Sequence, residues 1–94
     1  MSGESIYPET VEVAVRLLLD MVPSDEQARI AAMPRDAVVE LHWGLGMWVR
    51  NNLGLWSSSG ALFKATGQAN ADDASMVVVE AFWQRLRDTL PKLH

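Results

Sequence analysis

His42, Gly46 and Arg50 follow one another at four-residue intervals, so on a helix they line one stripe, with the glycine leaving a notch between two larger side chains. An imidazole and a guanidinium on one stripe could converge on an acidic or phosphorylated ligand. Arginine stays protonated and offers five donors in a fixed fork. Asn51 and Trp56 add an amide and a ring to the same stretch, which makes His42, Gly46, Arg50, Asn51 and Trp56 a candidate ligand-binding set. The same residues have a plainer explanation. A lone histidine without an orienting partner is commonly a hydrogen-bonded structural residue. An arginine among apolar neighbours is commonly paired to an acid, here Asp72, Asp73 or another carboxylate, which would tie the last helix to the centre of the fold.

Other chemistries lack their parts. Glu40-Leu-His42 is not a zinc motif, because the second histidine one turn away is missing and the only other one is His94; no metal site is expected. Gly44-Leu-Gly46 lacks the third glycine and the Lys-Ser/Thr that give a phosphate loop its cradle. Ser57-Ser58-Ser59 has no Gly-x-Ser-x-Gly setting. The absence of cysteine removes disulfides, thiolate ligands and thiol nucleophiles together. No catalytic residue and no cofactor is assigned.

The elements that must position these residues follow from the bulk numbers and the periodicity. Ninety-four residues, 49% of them apolar and 21% charged, make one folded domain, read as residues 9–94 after a flexible lead-in over residues 1–8. A net charge of −4 with acids and bases interspersed provides no basic stripe, so nucleic acid is not an expected partner. The first ten residues carry neither a basic nor an apolar signal region and no apolar run approaches a membrane span, so a cytoplasmic location is expected.

Val11, Ala14, Val15, Leu18 and Val22 predict an amphipathic helix ending before Pro23. Ser24 and Gln27 fit a capping box for a short second helix running to about Met33. Residues 35–52 predict a central helix, apolar on nearly every side, closed by Gly54 as a left-handed cap. Its two glycines each cost about 1 kcal/mol relative to alanine, which close approach of a helix or a tryptophan would offset. Ser58 or Ser59 can cap a short helix stopped by Gly67. Asp72 or Asp73, with Ser75, then caps a last helix that Pro91 ends. The result is an all-α bundle of four to five helices around the central Gly-containing one. Of the tryptophans at 43, 48, 56 and 83, two or three are expected in the core and one on a contact surface.

The stretch LHWGLGMWVRNNLGLW, residues 41–56, resembles a bacterial family classed among the domains of unknown function. Its members carry Leu-His-x-x-Leu-Gly-x-x-Ile-Arg-Asn-x-x-Gly-Leu-Trp, followed by Asp-Asp-x-Ser before a final helix. The matching positions are Leu41, His42, Leu45, Gly46, Arg50, Asn51, Gly54, Leu55, Trp56, Asp72, Asp73 and Ser75, with Val49 where isoleucine is common. The resemblance implies a small self-contained helical domain and no particular activity.

With no complete catalytic constellation and a high tryptophan and methionine content, the sequence is read as a non-enzymatic module. It would act through protein–protein contacts, self-association among them, as an accessory or antitoxin-like regulator. The other reading is a small protein or minor enzyme binding an anionic ligand in a His42/Arg50 pocket. That reading requires a recess beside Gly46 and an Arg50 with no internal acid partner.

Overall fold

The computed structural model describes residues 7–57 and 59–89. Most of the expected lead-in, the alternative cap Ser58, the stop at Pro91 and His94 lie outside the described residues. Six helices follow one another without a strand among the described residues: α1 (Val11–Met21), α2 (Ser24–Ala31), a 3-10 helix (Arg35–His42), α3 (Leu45–Asn52), α4 (Ala61–Thr66) and α5 (Ala71–Thr89).

α1 starts where the Thr10 hydroxyl accepts the Val13 N–H at 3.1 Å, and it buries Ala14, Val15 and Leu18. It stops at Val22, held extended because the residue before a proline is pushed out of helical space. The capping box expected for α2 is not formed. Pro23 is the cap residue, and its carbonyl accepts the Gln27 backbone N–H at 2.9 Å, so Ser24 already lies inside the helix. The freed Gln27 side chain donates instead to the Leu19 and Val22 carbonyls at 2.8 and 2.9 Å, closing the end of α1.

The helix expected over residues 35–52 is broken. Its first half is a 3-10 helix burying Val38 and Leu41, and at Gly44 the backbone (φ −99°, ψ −86°) leaves helical space before α3 resumes. Glycine is the cheapest place to interrupt a helix after proline, and the β-branched Val38-Val39 pair weakens the turns before it.

The centre of the fold is α5, not the stretch 35–52. It packs against each of the other helices. Ala71, Ala74, Ser75, Val78, Val79, Phe82, Trp83 and Leu86 recur at helical spacing and form its buried stripe. Trp83, 4% exposed, donates its indole N–H to the Met33 carbonyl at 2.9 Å, and the guanidiniums of Arg35 and Arg87 each lie 5.1 Å from its ring centre. Arg87 also donates to the Ala31 carbonyl at 3.2 Å, so α5 closes the end of α2. On the other side, Arg85 hydrogen-bonds Glu12 of α1 and holds its carboxyl below the ordinary 4.5, with Arg16 adding to the effect.

Gly54 has φ +77°, the left-handed cap the sequence called for, and it turns the chain so that Leu55 enters the core. A Cβ there would stand 2.9 Å from the Tyr7 ring. Gly54→Ala is therefore expected to cost about 1–3 kcal/mol, the left-handed backbone accounting for roughly 1 and displacement of the ring for the rest. In a Tyr7→Ala background, thermal unfolding should show only the backbone part. α4 is capped by Gly60, not by a serine side chain, and ends at Gly67 with φ +71°.

Candidate functional site

Arg50 is 3% exposed, and each of its three guanidinium nitrogens is engaged. Nε faces the Asp72 carboxylate at 3.3 Å, Nη1 donates to the Ser75 hydroxyl at 2.9 Å, and Nη2 donates to the His42 carbonyl at 3.3 Å. Ser75, fully buried, donates its own hydroxyl hydrogen bond to the Asp72 backbone carbonyl at 2.8 Å. One side chain of α3 thus joins the first turn of α5 to the last carbonyl of the 3-10 helix. The internal acid partner is Asp72, one of the two carboxylates the sequence offered.

Asp72, Asp73 and Ser75 do not cap α5. Asn70 does: its side-chain oxygen accepts the Asp73 N–H at 2.8 Å, and its amide donates back to the Asp73 carboxylate at 3.2 Å. Asp72, in the first turn, is left to face Arg50.

His42, Gly46 and Arg50 are neighbours, but they enclose no recess. A Cβ on Gly46 would meet the Leu41 carbonyl at 3.3 Å, Arg50 Nη1 at 3.4 Å and Met76 Sδ at 3.6 Å. The notch is filled by the arginine itself and by α5, the close approach that offsets a glycine in this helix. The His42 ring packs edge-on against Trp43, 4.8 Å between centres at 90°. It contributes to the arginine only its backbone oxygen. Among the described residues, no buried side-chain nitrogen or oxygen lacks a hydrogen-bond partner and no three His, Asp or Glu side chains gather to hold a metal.

Asn51 and Trp56 are brought together: the Asn51 side-chain oxygen accepts the Trp56 indole N–H at 2.7 Å. The bond fixes a ring that stays 65% exposed. Trp43 is 74% exposed, so two of the four tryptophans face water rather than one. Residue type marks both as core volume or contact surface and does not record where the chain turns.

An apolar cleft lies elsewhere among the described residues. About 340 Å³ in volume, it opens between the end of α1 (Leu18, Met21, Val22) and the start of α3 (Leu45, Trp48). Pro23, Glu26 and Ile30 form its α2 side, and Gly44 stands in its wall. Glu26 is the one charged residue of that lining, and it is paired with Arg29, whose hydrogen bond holds the carboxyl below its ordinary value. Nothing in the sequence marked this cleft, since it arises where the helix over residues 35–52 breaks.

No curated protein and no solved structure matches the chain. The profile of one family, Domain of unknown function (DUF6794), matches residues 7–86, which take in all but the last turn of α5. The match runs over the whole helical arrangement that Arg50 and α5 hold together, and the chain belongs to the DUF6794 family.

Proposed function

We propose that this chain is a small cytoplasmic bacterial module that works through protein–protein contacts and not by catalysis, as an accessory or antitoxin-like regulator. The observation that carries the reading is the pair of tryptophans held at the surface around α3, Trp43 and Trp56. Large apolar rings left in water are costly for a domain of this size, and tryptophan dominates binding energy at the centres of interfaces. Trp56 is also fixed on Asn51, so its rotamer freedom is spent before any partner arrives. Val39 of the 3-10 helix and Met47 of α3 are also exposed.

The test is a pull-down of the tagged wild type from its host beside Trp43→Ala and Trp56→Ala, each checked by circular dichroism for a folded state. A protein bound in stoichiometric amount and lost by either variant supports the reading. Turnover of a small molecule that depends on His42 or Arg50 would sink it.

A further inference from the structure

The 3-10 helix Arg35–His42 is eight residues long, whereas runs beyond about three or four are uncommon in a geometry whose hydrogen bonds are poorer than those of an α-helix. It stands just before α3, in a stretch whose apolar spacing reads as α-helical throughout. Crowding does not impose the break at Gly44. Its φ is negative, and a Cβ built on it would meet nothing within 4 Å. The break also redirects one acceptor. In an unbroken α-helix the His42 carbonyl would receive the Gly46 N–H, and here it receives Arg50 Nη2.

The segment carries a second set of apolar residues that this arrangement leaves unused. In a 3-10 helix residues three apart share a row, so Val38 and Leu41 are buried together, Val39 is left 63% exposed and Trp43 beyond it 74% exposed. Extending α3 backwards as an α-helix gives a different row. At about 100° per residue, Val39 and His42 come within about 30° of the centre of the face on which Gly46, Val49 and Arg50 are buried, and Trp43 within about 70°. Leu41 swings to about 130° from that centre, towards water. His42, Gly46 and Arg50 then form the single stripe that their four-residue spacing describes.

We propose that residues 35–44 are a two-register switch. In the register observed, Val38 and Leu41 face the core, Arg50 holds the His42 carbonyl and Trp43 stands in water. In the other, one α-helix runs unbroken to Asn52. The His42 carbonyl returns to the Gly46 N–H, Val39 replaces Leu41 on the buried row, and Trp43 withdraws to its flank. One branched aliphatic side chain stands in for another, which keeps the two packings close in free energy. The use of the switch rests on the interaction reading above: a partner that grips Trp43 binds only the observed register and draws the population towards it.

The experiment is backbone relaxation-dispersion NMR on the full chain, which detects helix register shifts on the microsecond to millisecond scale. Exchange is expected at residues 36–46 and not along α1, with a minor form populated at about 0.1–10% whose Cα shifts are α-helical. Gly44→Ala meets no obstacle in the observed register and should raise the minor form at least about fivefold, the preference of a helix interior for alanine over glycine. The Gly46 amide should gain protection from hydrogen exchange in the same variant. Val39→Lys changes a residue that is exposed in the observed register, so circular dichroism should show the same fold. It places a charge on the buried row of the other register, so the exchange should vanish.

A Gly44→Ala chain that keeps 3-10 shifts over residues 35–42 and shows no exchange overturns the proposal. Exchange that persists in Val39→Lys overturns it too, as does a minor form with random-coil shifts, which is local unfolding and not a second register. If exchange is absent while an identified host protein binds through Trp43, this inference fails and the interaction reading stands. If the exchange is found and no protein binds, the switch stands and the interaction reading fails.

Discussion

Arg50→Ala is expected to lower the thermal unfolding midpoint by about 12–24 °C, corresponding to roughly 3 kcal/mol in a domain of this size. The loss has three sources. The buried stem leaves a cavity between α3 and α5, and the His42 carbonyl and Ser75 hydroxyl lose their donor. The ion pair is the smallest of the three, because the Asp72 side chain is 59% exposed and is rehydrated when the arginine is gone. Asp72→Asn should accordingly cost less than about 1 kcal/mol. Arg50→Lys should fall between the two, since an ammonium keeps the charge but cannot reach three acceptors in one plane. Thermal unfolding of the three variants checks the order. If Arg50→Ala melts with the wild type, the arginine is not the tie described here.

That tie was half legible in the sequence. An arginine that must stay charged, near Asp72 and Asp73, foretold an internal acid partner, but the His42 carbonyl could not be foreseen without the break at Gly44. Periodicity set α1 and α5 to within a residue or two, because both carry long one-sided stripes bounded by proline or by loop residues. It could not separate 3-10 from α over residues 35–42, where two turns at either spacing put Val38 and Leu41 on the same side. The centre of the fold is hidden in the sequence for a related reason. Trp43 and Met47 made the helix over residues 35–52 look apolar all round, and both are exposed. Asn70 is the cap that Asp72 and Asp73 obscure: Asn-x-x-Asp is a capping pattern, but the two carboxylates after it fit the same role by residue type.

Trp83→Ala is the second large effect, expected at about 3–5 kcal/mol. Stabilities of small domains are about 5–15 kcal/mol, so much of the chain could be unfolded at ambient temperature. The ring fills the space between α5 and the end of α2, and its N–H satisfies the Met33 carbonyl. Trp83→Phe separates the two roles. It keeps most of the apolar volume and loses the hydrogen bond, but Arg87 still reaches the Met33 carbonyl at 3.4 Å, so about 1–2 kcal/mol is expected. Urea unfolding of the two variants measures the difference. Equal losses would mean that the hydrogen bond, not the volume, holds α2 in place.

The place of α5 in the chain has a consequence for biosynthesis. Every other described helix packs on α5, and of the six described it is the last to leave the ribosome. At about 5–20 residues per second, the translation of residues 22–89 occupies several seconds, whereas a helix forms and melts in about a microsecond. The nascent helices ahead of α5 thus sample their structure many times over with no surface on which to settle, and their apolar stripes stay open to chaperones. Release of α5 then completes the core in one step. A stalled or truncated product lacking it would be a substrate for proteolysis, not a partly folded form of the domain.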